Sequence, residues 1–179
     1  MLPLVLLYWI CSLVGEKDES FSSFSQLISL LPGKIGAYLR SGFYSLTMEQ
    51  CASDVHISFA TIFAQTSTNI GKGTYIGPQG NIGSSNIGQN CLLGSGVHVL
   101  SGNKQHFIDD LNSPIKEQGG KLEKIRIGDN TWIGNNALIM ANVGDNCVIA
   151  AGAVVTKDVL NNQIVAGNPA AIIRSRDTR

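Results

Sequence analysis

The sequence predicts an all-β solenoid with a short helical N-terminal segment, and three observations point to it. Between Asn69 and Val155 an apolar residue returns at nearly every sixth position: Ile70, Ile76, Ile82, Ile87, Leu93, Val99 and, after a break, Ile127, Ile133, Ile139, Val143, Ile149 and Val155, with the step from Ile139 to Val143 cut to four. Four positions further into the unit stands a compact residue able to turn inward: Thr74, Cys91, Val97, Thr131, Ala137, Cys147 and Ala153. Immediately before each of these stands Gly or Asn: Gly73, Asn90, Gly96, Asn130, Asn136, Asn146 and Gly152. Gly and Asn reach φ > 0 at least cost, so a corner is expected once per unit. A short extended run plus a corner closes no core alone, whereas stacked units bury one continuous apolar column. At a strand spacing of about 4.8 Å, roughly five turns make a prism on the order of 25 Å tall.

At 179 residues the chain is one domain with an appended segment. The divisions are an apolar and helical N-terminal segment at 1–50, the coil at 51–167 with an inserted loop at 101–124, and a tail at 168–179. Formal net charge is zero and charged residues are 15% of the chain, so no basic field exists to hold a nucleic-acid backbone. Cys11, Cys51, Cys91 and Cys147 show neither C-x-x-C pairing nor metal-ligand spacing, and two occupy the compact inward slot. They read as core thiols in a reducing cytoplasm, and no metal is required.

Met1 to Gly15 carries no charge, lacks the basic start of a signal peptide, and is shorter than the ~20 residues that span a bilayer. Phe21, Phe24, Ile28 and Leu31 then fall at helical spacing up to Pro32-Gly33, and Ile35, Leu39 and Phe43 mark one side of a second helix. Two readings stand for this region. It caps the open end of the solenoid, or residues 1–45 make peripheral contact with the inner face of a membrane.

A rigid solenoid offers flat walls, so chemistry is sought where the repeat breaks. The break runs from Ser101 to Lys124 and carries a single imidazole, His106; a structureless insertion of that length is uncommon unless it functions. His56 and His98 each precede an inward position and face outward, as surface or subunit contacts. Trp132 shares that phase, and an outward Trp asks for a covering partner.

Position one is followed by Gly at Ile70-Gly71, Ile76-Gly77, Ile82-Gly83, Ile87-Gly88, Leu93-Gly94, Ile127-Gly128, Ile133-Gly134 and Val143-Gly144. This pattern resembles the hexapeptide repeat of the left-handed parallel β-helix acyltransferases, in which three repeats make one triangular turn. A histidine loop ahead of Ile127-Gly128-Asp129-Asn130-Thr131-Trp132-Ile133-Gly134 resembles the maltose, galactoside and exopolysaccharide O-acetyltransferases. The likeness continues through Val148 to Asp158 and closes on Val165-Ala166-Gly167-Asn168-Pro169-Ala170, covering roughly the last two-thirds of the chain.

The resemblance implies an acetyl-CoA-dependent O-acetyltransferase that acts on a sugar hydroxyl, in exopolysaccharide or surface-glycan biosynthesis. His106 matches the general base, with Asp109 or Asp110 as candidates to hold its other ring nitrogen; imidazole titrates near neutrality and suits proton transfer. The CoA arm is expected beside Gly134, Asn135, Ala151 and Gly152, with Thr156 and Lys157 further along. Lys157 and Arg174 are placed to meet its phosphates, and Ala171 stands where some relatives carry a second base. Gln79 or Asn81, together with Trp132, are the candidates for holding the acceptor, and Trp132 is expected in the cleft beside the histidine loop. A maltose or galactoside assignment does not transfer. The family also implies a homotrimer with sites at subunit boundaries.

Three histidines at these spacings do not resemble the zinc site of the γ-class carbonic anhydrases. A serine acetyltransferase-like enzyme and a non-catalytic β-helix scaffold remain as alternatives.

Overall fold

The computed structural model describes residues 2–177. Short parallel strands wind into a three-sided coil of six levels, one more than the interval count gives, because Gln50 to Phe63 forms a level beneath Asn69. The first wall stacks Gln50–Cys51, Asn69–Ile70, Ser85–Ile87 and Ile125–Ile127, continued by single bridges at Val143 and Val159. The second stacks His56–Ile57, Tyr75–Ile76, Leu92–Leu93, Trp132–Ile133, Val148–Ile149 and Gln163–Ala166. The third stacks Ile62–Phe63, Asn81–Ile82, His98–Val99, Leu138–Ile139 and Val154–Val155. In the tail, Ala171–Ser175 folds back antiparallel onto Gln163–Ala166 and extends the second wall.

Each position-one residue from Ile70 to Val155 is buried, as are all seven compact residues. All seven Gly or Asn residues before them have positive φ, between 53° and 69°. The compact residues also bind the levels together where the first wall turns into the second. Thr74 Oγ1 donates to Gly88 O at 2.8 Å, Cys91 Sγ to Gly128 O at 3.1 Å, Thr131 Oγ1 to Gly144 O at 2.9 Å and Cys147 Sγ to Leu160 O at 3.0 Å. Hydroxyl and thiol alternate in one column, each donor satisfying a carbonyl that the corner takes out of the strand ladder.

The four-residue step from Ile139 to Val143 lies at the corner between the third and first walls, and Val155 to Val159 repeats it one level on. Cutting the corner leaves one residue per level to pair, which explains the bridges. Side chains replace the missing strand bonds: Asn142 Oδ1 accepts from Arg126 N and Asp158 Oδ1 from Asn142 N, each at 2.9 Å.

Three helices precede the coil: α1 (Leu2–Val14), α2 (Lys17–Ser29) and α3 (Gly33–Thr47). The first level exposes a sheet edge, a row of unpaired polar groups that must be covered. The helices cover it with side chains and backbone. Ser25 Oγ accepts from Phe63 N at 2.8 Å, Ser29 O from Ala60 N at 2.8 Å, and Ser41 Oγ donates to Val55 O at 2.7 Å.

Of the apolar stripe read for α3, only Phe43 falls on its buried face. Ile35 is 75% exposed and Leu39 half-buried, whereas Gly36, Ala37, Arg40, Phe43, Tyr44 and Thr47 face inward. Arg40 decides the phase. Its guanidinium is buried and donates to Ile57 O at 3.0 Å, Leu31 O at 2.6 Å, and Ile28 O and Ser29 O at 3.3 Å. It thereby closes the carbonyl end of α2 and the open edge of the coil at once. In α2, Phe21 and Ile28 are buried as the spacing predicts, while Leu31 lies beyond the helix end and is exposed.

Arg40→Met is expected to destabilise the protein by about 3 kcal/mol or more in denaturant unfolding, because it strands buried carbonyls, and Arg40→Lys should not restore it, since an ammonium lacks the planar fork. Burial pushes the Cys51 thiol up to about 12 and raises those of Cys91 and Cys147, whereas Cys11 is exposed. A thiol reagent at neutral pH should therefore modify Cys11 alone until the protein is unfolded, when all four react.

Candidate active site

The histidine loop leaves the third wall after Val99 and re-enters the first wall at Ile125, so it projects from the corner between those walls. It is ordered rather than structureless. Ser101 Oγ accepts from Ser84 N at 2.9 Å and anchors the exit. Glu123 N donates to Ser101 O, Lys121 N to Lys104 O and Phe107 N to Gly119 O, at 2.9, 2.8 and 3.0 Å, so the two arms run side by side. Gly120 is required for this approach, because a Cβ there would lie 1.8 Å from Gln105 O. At the tip, Gln118 accepts from Asp110 N and donates to Asp110 O and Ser113 O around a 3-10 turn at Ile115–Glu117.

His106 is exposed on this frame, and its ring makes no hydrogen bond among the described residues. Asp110 is committed elsewhere. Its carboxylate accepts from Asn112 N at 2.9 Å and Ser113 Oγ at 2.7 Å, bonds that hold its pKa below the usual carboxylate range. Asp109 makes no hydrogen bond to the ring either. The loop also exposes Phe107, Ile108, Leu111 and Ile115, with Leu111 at 95%.

Asn81 and His98 are neighbours in the third wall, paired in register, with Leu138 beyond them. Asn81 thus shares a wall with the root of the histidine loop. His98 joins it there, a position that its outward phase does not by itself disclose. Gln79 takes a different part. It is a corner residue with φ of 62°, and its N–H donates to Phe59 O at 3.0 Å.

Gly134, Asn135, Ala151 and Gly152 line the corner between the second and third walls at the fourth and fifth levels. A Cβ on Gly134 would stand 2.5 Å from Ala151 N, so the coil itself requires a glycine there. Asn135 Oδ1 accepts from Ser95 N at 3.0 Å and Asn135 O from Gly152 N at 2.8 Å. Around Gly152 nothing would meet a Cβ within 4 Å, which leaves an open strip of backbone. Thr156 and Lys157 lie across the third wall, at the same corner as the histidine loop and two levels above it.

Trp132 and Arg174 occupy the second wall, where they line one open cleft with Leu92, Ile164 and Arg176. Arg176 reaches Asn146 O at 2.8 Å. The repeat pattern ends before Arg176 and contains no signal for it. In a three-sided coil the second wall faces away from the corner between the other two. Within one chain, therefore, the Trp132 cleft and the His106 loop stand on opposite sides of the prism, and Arg174 stands apart from Lys157.

Residues 124–157 match the family model described as the hexapeptide repeat of succinyl-transferase. Among solved structures, the chain is similar to a maltose O-acetyltransferase from Clostridium difficile 630, at 20% identity over 90% of this chain and 89% of that one, with a TM-score of 0.75. A hexapeptide-repeat-containing acetyltransferase from Vibrio cholerae gives 22% identity over 90% and 94%, TM-score 0.72. A galactoside acetyltransferase in complex with coenzyme A gives 22% over 90% and 84%, TM-score 0.65. At these identities the likeness establishes the shared fold, a left-handed parallel β-helix.

Proposed function

We infer that this hexapeptide-repeat chain is an acyltransferase that moves an acetyl group from acetyl-CoA to a sugar hydroxyl. The observation that carries the reading is His106: the one imidazole of the insertion, exposed on a loop braced by its own backbone, at the long break in the coil. The galactoside acetyltransferase holds coenzyme A, and the Vibrio cholerae protein is also known complexed with acetyl coenzyme A, on the same fold.

In the proposed reaction a ring nitrogen of His106 takes the proton of the acceptor hydroxyl as its oxygen attacks the thioester carbonyl. The tetrahedral intermediate collapses by breaking the C–S bond, and the proton passes from His106 to the departing sulfur. An acetyl ester and free CoA result. The open backbone at Gly152 lets a pantetheine arm lie close to the coil, and Lys157 supplies a cation near its line. Asn81 and His98, outward on the wall below the loop, are the side chains placed to bond the acceptor. An exopolysaccharide or other surface-glycan precursor is the acceptor class favoured by the sequence likeness.

A homotrimer completes this site. The loop exposes one apolar group, Phe107, Ile108 and Leu111, and the second wall exposes another, Leu92, Trp132, Ile172 and Ile173. The two lie on opposite sides of a chain, so one copy's loop meets the next copy's wall. Such a head-to-tail contact closes into a ring, and on a triangular prism three copies close it. Trp132 and Arg174 of one copy then stand beside His106 of its neighbour.

Calorimetric titration with CoA, with mass by light scattering, should show saturable binding near one CoA per chain in a trimer. A well-folded trimer without binding would instead support the scaffold reading. His106→Ala should lower acetyl transfer by about 10² to 10⁴ with CoA affinity nearly unchanged. Loss of both together would assign the histidine a structural part. Leu111→Glu, at an exposed loop position, should shift the mass toward monomer and lower turnover with it, with the circular dichroism of the coil unchanged.

A further inference from the structure

We propose that the outer face of α1 docks the protein onto the surface of a lipid bilayer. The helical layer has two parts. α2 and α3 cap the first level of the coil, while α1 packs on them from outside through Val5 and the Tyr8 ring, which meets Phe21, Phe24 and Phe43 edge-on. The outer face of α1 is left uncovered: Leu2, Leu6, Trp9, Ile10, Leu13 and Val14 are all exposed, the last two at 86% and 90%.

The chemistry of that face selects its partner. α1 has no charged residue, and Ser12 Oγ is already bonded to Tyr8 O at 2.8 Å. Protein interfaces ordinarily carry about one hydrogen bond per 100–200 Å² and a polar rim. Among the side chains of α1, the Trp9 indole N–H and the weakly donating Cys11 thiol are left to offer one, whereas a helix whose interior backbone is bonded within itself needs few partner bonds in an acyl environment. Thirteen residues span about 20 Å, less than the ~30 Å hydrocarbon core, and no described helix is long and apolar enough to cross a membrane. Because Val5 and Tyr8 pin α1 flat against α2 and α3, its exposed face meets the bilayer along the helix's length, with Trp9 at headgroup depth.

Leu30 and Ile35, both exposed at the α2–α3 turn, add to the apolar surface of the helical layer. Charges flanking the turns are of both signs, Glu16 with Lys17 and then Lys34, so apolar burial rather than surface potential drives attachment. In the parallel trimer, an assembly that rests on the functional reading above, three such faces lie at one end of the prism, and their attachments reinforce one another. An acceptor held at a membrane would then meet an enzyme already confined there.

The full-length protein should co-sediment with phosphatidylcholine vesicles, equally well when phosphatidylglycerol is added and with little effect of salt. The combined Leu6→Glu, Ile10→Glu and Leu13→Glu variant, altered at three exposed positions of one face, should lose roughly a hundred-fold in partitioning while keeping its circular dichroism and CoA affinity. Trp132→Phe leaves Trp9 as the sole indole. Its emission should shift to the blue on vesicles and be quenched by brominated acyl chains, a readout that holds even if the triple variant misfolds. Protein that stays in the supernatant, or Trp9 emission unmoved by vesicles, overturns the proposal. So does a triple variant of lower mass in light scattering, which would mean that the face pairs copies of the chain. Vesicle binding without CoA binding would leave the docking intact and remove the enzymatic reading, and the converse would do the reverse.

Discussion

Every level of this coil must turn three corners without interrupting the column of Ile, Leu and Val beneath them, and that constraint organises the rest of the molecule. From the second level on, the corners between the first and second walls and between the second and third place a residue in the left-handed region, hence Gly73, Asn90, Gly96, Asn130, Asn136, Asn146 and Gly152, while the uninterrupted corner between the third and first walls turns without one. A corner also takes backbone groups out of the strand ladder, and these must be answered by side chains. The Thr74, Cys91, Thr131, Cys147 column answers them from inside, and the carboxylates and carboxamides of Asp129, Asp145 and Asn161 answer them from outside. The cysteines are thus hydrogen-bonding members of the frame as well as core filling.

A frame so repetitive leaves three places where chain geometry departs from it, and each carries a separate task. The ends are one. The N-terminal edge is closed by α2 and α3 around Arg40, a buried guanidinium that meets four carbonyls. Desolvation lowers its pKa, with Tyr44 acting the other way, and an arginine still keeps its charge. The second departure is the histidine loop, whose arms are braced on Ser101 and Gly120 so that His106 is held out from the wall. The third is the antiparallel return of Ala171–Ser175, which brings Arg174 and Arg176 to Trp132.

How much of this is legible in the chain follows from whether the information is periodic. Inward and outward phase, the positive-φ corners and the burial of Cys91 and Cys147 repeat every six residues, and the structure shows each of them where the pattern places it. Gln79 belongs to the same class on inspection: it precedes Gly80 at a corner as Asn136 precedes Ala137, and its φ is positive like theirs. The phase of α3 does not repeat. An arginine on a short helix reads as the solvent side, and only the carbonyls that converge from α2 and from Ile57 make it the inside.

The sequence by itself determined the repeat, its corners, its single long break and the imidazole within that break, because each depends on residue type at a fixed interval. Only the tertiary structure decided which side of the prism each group occupies. His106, Asn81 and Lys157 fall on one side and Trp132 with Arg174 on another, since position around a three-sided coil depends on how many residues each corner consumes. Those corner lengths vary, from four residues at Ile139 to Val143 to the whole inserted loop after Val99, and they set the separation between the two groups.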